Sequence, residues 1–289
     1  MRLLLTGASG MLGLDVLRAA ERAGHEIVAL THSELDIADE RAVEDAFRRV
    51  RADAALNCAA WTDVDAAETN RNEAYAVNAA GARNLAVAAA ERGVPLMHVS
   101  TDYVFAGDAP LRPDGRRRAY LESDPTGPRS VYGETKLTGE IHVLEASPRN
   151  TVVRSSWLFG TGGRNFADTM LALAAEREAV QVVSDQVGCP TWTGHLAPAL
   201  IGLLEREVTG LVHLAGAGHV SWNGFAVEIF RQAEAVCRVE EATTGQLERP
   251  ARRPSWSVLE SERDEVLPLP PWQDGLAGYL AARAGMIRT

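Results

Sequence analysis

The 289-residue sequence predicts an α/β fold: a doubly wound parallel sheet with helices on both faces, carrying a smaller mixed α/β lobe. Three observations lead there. Short apolar runs alternate with amphipathic stretches through the first 155 residues. A glycine-rich turn joins the first run to the first amphipathic stretch. Beyond residue 155 the rhythm weakens, and Gly, Pro and Trp become frequent.

Leu3–Leu5 and Ile27–Leu30 are apolar runs of strand length, as are Ala54–Leu56, Leu96–Val99 and Thr151–Val153. The segments at about 11–23, 40–50, 71–92 and 131–146 carry helical patterns. Regular alternation of strand and helix builds βαβ units and a parallel sheet. Such sheets bind ligands at the carboxyl ends of their strands, near the point where strand order reverses. Leu211–Leu214 reads as one further sheet strand. The expected division is 1–155 for the sheet domain, rejoined near 211–214, and 156–289 for an interleaved lobe. The Pro-rich stretch Pro268–Pro271 reads as a loop before a last helix.

Composition narrows the function. A hydrophobic content of 46% in a chain this long supports a sizeable core. The net charge of −10 argues against general binding to nucleic acid or to an anionic membrane. The arginine run Arg116–Arg118 is the one dense basic cluster, and its Pro/Gly/Asp-rich setting reads as a solvated loop. Cys58, Cys189 and Cys237 are far apart, with no metal-ligand spacing, as expected in a reducing compartment. Leu3–Leu5 is too short for a signal peptide, and no stretch has the ~20 apolar residues of a membrane span. The expectation is a cytoplasmic protein.

The first strand runs into Thr6-Gly7-Ala8-Ser9-Gly10-Met11-Leu12-Gly13, a GxxGxxG turn that opens a helix. Glycines let the backbone approach a pyrophosphate, and the helix N-terminus offers N–H groups and a positive dipole end. No Gly-Lys-Ser/Thr follows, so this is not an NTPase loop. The reading is a dinucleotide site on a Rossmann-type sheet. The second strand ends at Leu30-Thr31-His32, without the acid that would grip a ribose 2′-hydroxyl and without an arginine for a 2′-phosphate. NADPH and NADH both stay open.

Tyr132 and Lys136 stand at i and i+4 and share one helix face. A nearby ammonium favours the phenolate, so the pair is expected to lower the tyrosine pKa toward useful acid–base strength. Every basic residue but Lys136 is arginine, which marks the lysine as chemistry rather than surface charge. Ser100-Thr101-Asp102 follows the strand Leu96–Val99 and puts hydroxyls at a carboxyl strand end. Such residues can bond a substrate oxygen, or simply make a turn.

These features together resemble the extended short-chain dehydrogenase/reductase superfamily, and within it the dTDP-4-dehydrorhamnose reductase family. The resemblance rests on Asn57–Asp65, Val99–Phe105, Arg154–Gly160, Asp185–Thr191 and Arg253–Ser257, in that order along residues 1 to about 260. It implies reduction of the C4 ketone of dTDP-4-dehydro-6-deoxy-L-mannose by NADPH or NADH. Tyr132 would be the general acid, Lys136 would tune it and hold the nicotinamide ribose, and Thr101 would bond the substrate oxygen. Asp102, Tyr103 and Trp157 would contact the sugar. Gly7, Gly10, Met11, Leu12 and Gly13 would line the pyrophosphate, and Asp36 and Ile37 the adenine side. Ala60, Trp61, Thr62 and Val99 would lie along the dinucleotide. A core role is the alternative for Trp61 and Trp157.

Related sugar-nucleotide dehydratases carry Asp-Glu after the threonine, where this chain has Asp102-Tyr103, so dehydration is not expected. Some family members are dimers bridged by magnesium through glutamates. Asp15 and Gly194 or His195 stand at those positions here, so no metal site is assigned, while a homodimer stays open. The stretch Leu111–Leu121 looks longer than usual and reads as a surface insertion near the substrate mouth. Two alternatives remain: another nucleotide-sugar 4-ketoreductase, or a regulatory subunit resembling that of methionine adenosyltransferase. The second would not require Tyr132, Lys136 and Thr101 together.

Overall fold

The computed structural model describes residues 1–287. The first half alternates as expected. Strand β1 (Arg2–Thr6) leads to helix α1 (Met11–Arg22), then β2 (Glu26–Leu30), α2 (Glu40–Val50) and β3 (Ala54–Asn57). Helices α3 (Val64–Thr69), α4 (Arg71–Tyr75) and α5 (Ala82–Ala90) precede β4 (Leu96–Thr101), α6 (Val131–Ala146) and β5 (Thr151–Ser155). The second half holds β6 (Leu158–Phe159), α7 (Phe166–Glu176), β7 (Ala179–Val183), β8 (Val187–Gly188), β9 (Thr191–Trp192) and α8 (Thr193–Glu205). It ends with β10 (Gly210–His213), β11 (Val220–Ser221), α9 (Trp222–Gln232), β12 (Arg238–Ala242) and α10 (Trp272–Ile287).

The main sheet has the order β10-β5-β4-β3-β1-β2, every neighbouring pair parallel. Strand order therefore reverses at β1, whose neighbours are β2 and β3. The period of two along β1 splits its leucines between the faces. Leu3 and Leu5 pack with Val16 and with Leu196 and Leu200 of α8. Leu4 packs with Val43, Phe47 and Leu85 on the other side. Helix α8, which the sequence reading placed in the second lobe, thus covers one face of the sheet. Its apolar stripe is needed there because α1 alone is too narrow to bury that face.

A separate aromatic cluster, including Phe159, Phe225, Trp272 and Tyr279, gathers α7, α9 and α10 around the short sheet of β7 and β12. The expected single helix over 71–92 is interrupted: Ala76–Gly81 is a π-helical segment between α4 and α5. A wide turn of this kind rotates the side chains that follow it, and it concentrates at functional sites. The 111–121 stretch is an exposed turn closed by a Leu111–Arg117 bridge, and it re-enters the core at Tyr120, stacked on Phe105 at 4.0 Å.

Candidate active site

The crevice at the strand reversal is built first by glycines. Gly7 has φ +72°, and a Cβ there would lie 2.5 Å from the Ala59 nitrogen. A Cβ on Gly13 would lie 2.2 Å from the Gly7 carbonyl oxygen. Only glycine lets the β1 turn, the end of β3 and α1 come this close. Gly10 caps α1 with no side-chain hydrogen bond, so the N–H groups of the first turn, beginning at Met11 and Leu12, are left for an anion. A cradle that a Cβ would fill, opening onto an uncapped helix N-terminus, fits a dinucleotide pyrophosphate.

The wall of this crevice is pinned from the π-helical segment. Asn78 accepts from the Trp61 backbone N–H at 2.9 Å and donates to the Trp61 carbonyl at 3.1 Å and to Thr135 Oγ1 at 3.0 Å. Thr135 in turn donates to the Tyr132 carbonyl at 2.8 Å. A Cβ on Gly139 would lie 2.3 Å from the Asn78 carbonyl, so α6 crosses this turn in direct contact. Ala60 and Trp61 are half-buried and Thr62 is exposed along the same edge. Asp36 is exposed beyond β2, whereas Ile37 is buried in the core at 3% exposure, its carbonyl accepting from Asn84 Nδ2 at 3.0 Å.

Tyr132 and Lys136 leave the first turns of α6, which Ser130 caps by accepting from the Gly133 N–H. Lys136 is 1% exposed; its Nζ donates to the Val99 carbonyl at 2.8 Å and lies 3.1 Å from His98 Nε2. Desolvation takes its ammonium down to about 8, against the opposing charge of Glu140. Tyr132 departs from expectation. Desolvation pushes its phenol up to about 12, with the Thr101 hydroxyl pulling down and the Asp102 charge pushing up. The lysine does not lower it in this state, because Nζ is engaged by β4 instead.

Thr101 ends β4 and accepts from the Tyr103 N–H at 3.2 Å. Its hydroxyl donates to Asp102 Oδ1 at 3.1 Å. Asp102 is 1% exposed, and its Oδ2 has no hydrogen-bond partner among the described residues. Burial raises that carboxyl to about 6, while hydroxyls of Ser257 and Thr101 oppose the shift. The Tyr103 ring meets the Tyr132 ring edge-on at 5.4 Å. Trp157 sits at φ +49°, a strained value for a bulky residue, and stacks on Trp222 at 3.5 Å and 5°.

A groove of 740 Å3 opens beside Tyr103, lined by Phe166, Gln186, Trp222, Arg249 and Arg253 among others. Arg253 grips Asp65 at the start of α3 through Nη1 at 3.0 Å and Nη2 at 2.8 Å. Asp65 also accepts from Arg249 at 3.3 Å and from the Ala251 N–H at 3.2 Å. Of the residues assigned from the sequence, Tyr103 lines this groove, and its ring links the groove to Tyr132. Asn57, Asp65 and Arg253 enter the sequence analysis only as members of motifs, without a role, and Asn78 and His98 carry none there either. Asn70-to-Gly81 polarity inside a helical pattern was the one local signal available for Asn78.

At the first of the positions where magnesium would bridge, Asp15 is engaged within its own chain. Asp15 Oδ2 accepts from Thr193 Oγ1 at 2.6 Å and Oδ1 from Arg18 at 3.0 Å, and Gly194 offers no side chain. Among the described residues no group of three or more His, Cys, Asp or Glu could hold a metal ion. No described helix is long and apolar enough to cross a membrane.

Comparison with known proteins agrees with this geometry. A family model described as the RmlD substrate binding domain matches residues 1–284. The dTDP-4-dehydrorhamnose reductase of Mycobacterium tuberculosis is 44% identical over 289 residues, covering 98% of this chain and 93% of that protein. A Streptomyces antibioticus protein named a probable dTDP-4,6-dihydroxy-2-methyloxan-3-one 4-ketoreductase is 42% identical, covering 96% of this chain and 93% of its own. The crystal structure of Bacillus anthracis dTDP-4-dehydrorhamnose reductase in complex with NADP matches with a TM-score of 0.92 at 35% identity, covering 97% of this chain and 99% of that one. The chain belongs to the dTDP-4-dehydrorhamnose reductase family.

Proposed function

We propose that the chain reduces the C4 ketone of dTDP-4-dehydro-6-deoxy-L-mannose to dTDP-L-rhamnose, using NADPH or NADH. The observation that carries this reading is that Tyr132 and Lys136 on α6 stand beside the carboxyl end of β4, where Nζ donates to the Val99 carbonyl and the Thr101 hydroxyl acts on the Tyr132 phenol. A module that only binds dinucleotide has no need of all three.

When bound, the dinucleotide supplies the hydride. Gly7, Gly10, Met11, Leu12 and Gly13 would hold its pyrophosphate, Ala60, Trp61, Thr62 and Val99 would flank it, and Asp36 and Ile37 would stand toward the adenine. Tyr132 is protonated throughout the neutral range, since its phenol is raised to about 12, so it enters as a proton donor. Its O–H protonates the carbonyl oxygen as negative charge develops there. Thr101 holds the same oxygen. Lys136 orients the nicotinamide ribose through an N–H. Tyr103 and Trp157 would pack against the sugar ring, with the Asp102 carboxyl, beside the Ser257 hydroxyl, to accept from a sugar hydroxyl. Arg249 and Arg253 in the groove suit a diphosphate.

A second reading keeps the fold and chemistry but changes the sugar. The Streptomyces 4-ketoreductase relative, at 42% identity, favours it. One experiment separates the readings: NADPH absorbance decay with dTDP-4-dehydro-6-deoxy-L-mannose generated in situ, beside Tyr132→Phe. Decay in the wild type alone supports reductase and acid together. No decay, with dinucleotide still bound, moves the assignment to another keto-sugar or to the regulatory alternative.

A further inference from the structure

We propose that His98 is a positioning residue for Lys136: fixed as its Nε2–H tautomer by Asn57, it donates to Nζ and holds the lysine as the free amine until a dinucleotide binds. The inference rests on the dinucleotide reading above and concerns the state of the protein before and after that event.

Three buried side chains carry it. Asn57 ends β3, His98 lies in β4 and Lys136 in α6, each 1% exposed. Donor counting fixes the direction of every bond. Asn57 Oδ1 lies 2.9 Å from the Ala59 backbone nitrogen, which can only donate, and 2.7 Å from Thr6 Oγ1. The amide oxygen must therefore face those two groups, and Nδ2 faces His98 Nδ1 at 2.9 Å. An Nδ2 only donates, so Nδ1 accepts and carries no proton. A neutral His98 then bears its hydrogen on Nε2, 3.1 Å from Nζ. An ammonium has no lone pair and would oppose hydrogen to hydrogen. An amine accepts that bond, gives one N–H to the Val99 carbonyl at 2.8 Å, and keeps one N–H for a ligand.

The surrounding groups are consistent with this assignment. Burial keeps His98 neutral, driving its imidazolium well below the ordinary value. Glu140, one turn beyond Lys136, favours the ammonium, but Arg154 already engages both of its oxygens at 2.7 to 3.1 Å and Ser100 donates to it. Cys58, just after β3, is held as the neutral thiol by burial. Tyr132, one turn earlier on α6, is a neutral phenol. Desolvation already lowers Lys136, and donation from Nε2–H acts in the same direction.

A dinucleotide changes this balance. Its pyrophosphate brings negative charge to the Gly7 turn, one residue from Thr6, and its ribose hydroxyls can accept from Nζ. Both favour the ammonium, so binding draws protons from solvent in proportion to the amine held before it. His98 gives up its bond to Nζ as the lysine turns to the ribose.

Lys136 is the only lysine in the chain, so [ε-15N]lysine labelling gives a single Nζ resonance. Its pH titration is recorded on the free protein and again with saturating NADP+, whose binding is read separately by calorimetry. The expected result is a free-protein midpoint below the neutral range, lower than the value of about 8 that desolvation sets, rising by about one pH unit or more, a tenfold shift, when NADP+ is bound. The free-protein midpoint should also rise in His98→Gln, whose amide oxygen can accept from the ammonium. A wild-type midpoint of about 8 or above overturns the proposal. So does an Nδ1–H His98, read from [15N]histidine ring nitrogens with or without dinucleotide and independently of whether the variant folds. Failure of NADP+ to bind, with the free amine and the Nε2–H tautomer found, would count against the dinucleotide reading and leave the His98 assignment standing.

Discussion

Arg154 reaches Glu140 through Nη2 at 2.7 Å and Nε at 2.9 Å in a pocket where neither residue is more than 3% exposed. The pair ties β5 to α6 one turn beyond Lys136, and Ser100 at the end of β4 donates to the same carboxylate at 2.5 Å. It fixes the height of the Tyr132–Lys136 helix against the strands that carry Thr101. Glu140→Gln leaves the guanidinium buried without its counter-charge. The expected loss is about 3–5 kcal/mol of stability, measured by urea unfolding. A loss below about 1 kcal/mol would mean that the pair is not holding the helix.

Tyr132→Phe removes the proposed proton donor and keeps the ring that meets Tyr103 edge-on at 5.4 Å. Turnover should fall by about 10²–10⁴, with dinucleotide affinity unchanged within about twofold. Steady-state kinetics beside calorimetric NADP+ binding checks both halves. An equal fall in affinity would place the phenol in cofactor binding rather than proton transfer.

Gly7→Ala tests the cradle. The new Cβ would lie 2.5 Å from the Ala59 nitrogen at a φ of +72°, so the turn must shift away from β3. Thermal unfolding should report a loss of about 1–3 kcal/mol, with NADP+ binding weakened beyond detection at ordinary concentrations. An alanine variant that binds NADP+ like the wild type would remove the pyrophosphate from this turn.

Asp65 gives a pH dependence with a definite sign. Arg253 holds its carboxyl at about 2, below the ordinary 3.8. A depressed acid contributes stability that is fully present above the unfolded value and is lost as pH falls through the folded one. The window therefore runs from about pH 4 down toward 2. The Asp65 side chain is 25% exposed, so screening limits the contribution to about 1 kcal/mol. Urea midpoints measured from pH 5 to pH 3 should fall more steeply in wild type than in Asp65→Asn. Parallel curves would show that the latch adds nothing.

Much of this site was legible from local patterns. The GxxGxxG turn lies where an apolar strand meets a helix, and the tyrosine and the lone lysine share one helix face because 3.6 residues make a turn. The sheet itself was readable because each strand is a short apolar run with a helical stretch after it. What was not legible depends on distance in sequence. Asn57 and His98 sit inside apolar runs, where polarity looks like noise until the strands are laid side by side. Asp65 and Arg253 are 188 residues apart, and no periodicity links them. Asn78 required the π-helical turn, which breaks the period that a helix pattern assumes. The tyrosine shift was misjudged because proximity to Lys136 was read without its partners: Val99 and His98 hold Nζ, and desolvation decides the phenol.

Strand β10 joins the sheet from residue 210, more than fifty positions after β5, the strand it pairs with. It brings His213, whose Nε2 lies 3.4 Å from Arg154 Nη1. A chain emerging from the ribosome therefore owns its glycine turn, its tyrosine and its lysine long before the guanidinium beneath them is sealed from water. Until that last strand of the sheet docks, Arg154 lacks its His213 neighbour, although Phe105, from the first half, already lies over the guanidinium at 5.0 Å. Completion of the machinery is thus timed by an element that touches neither ligand.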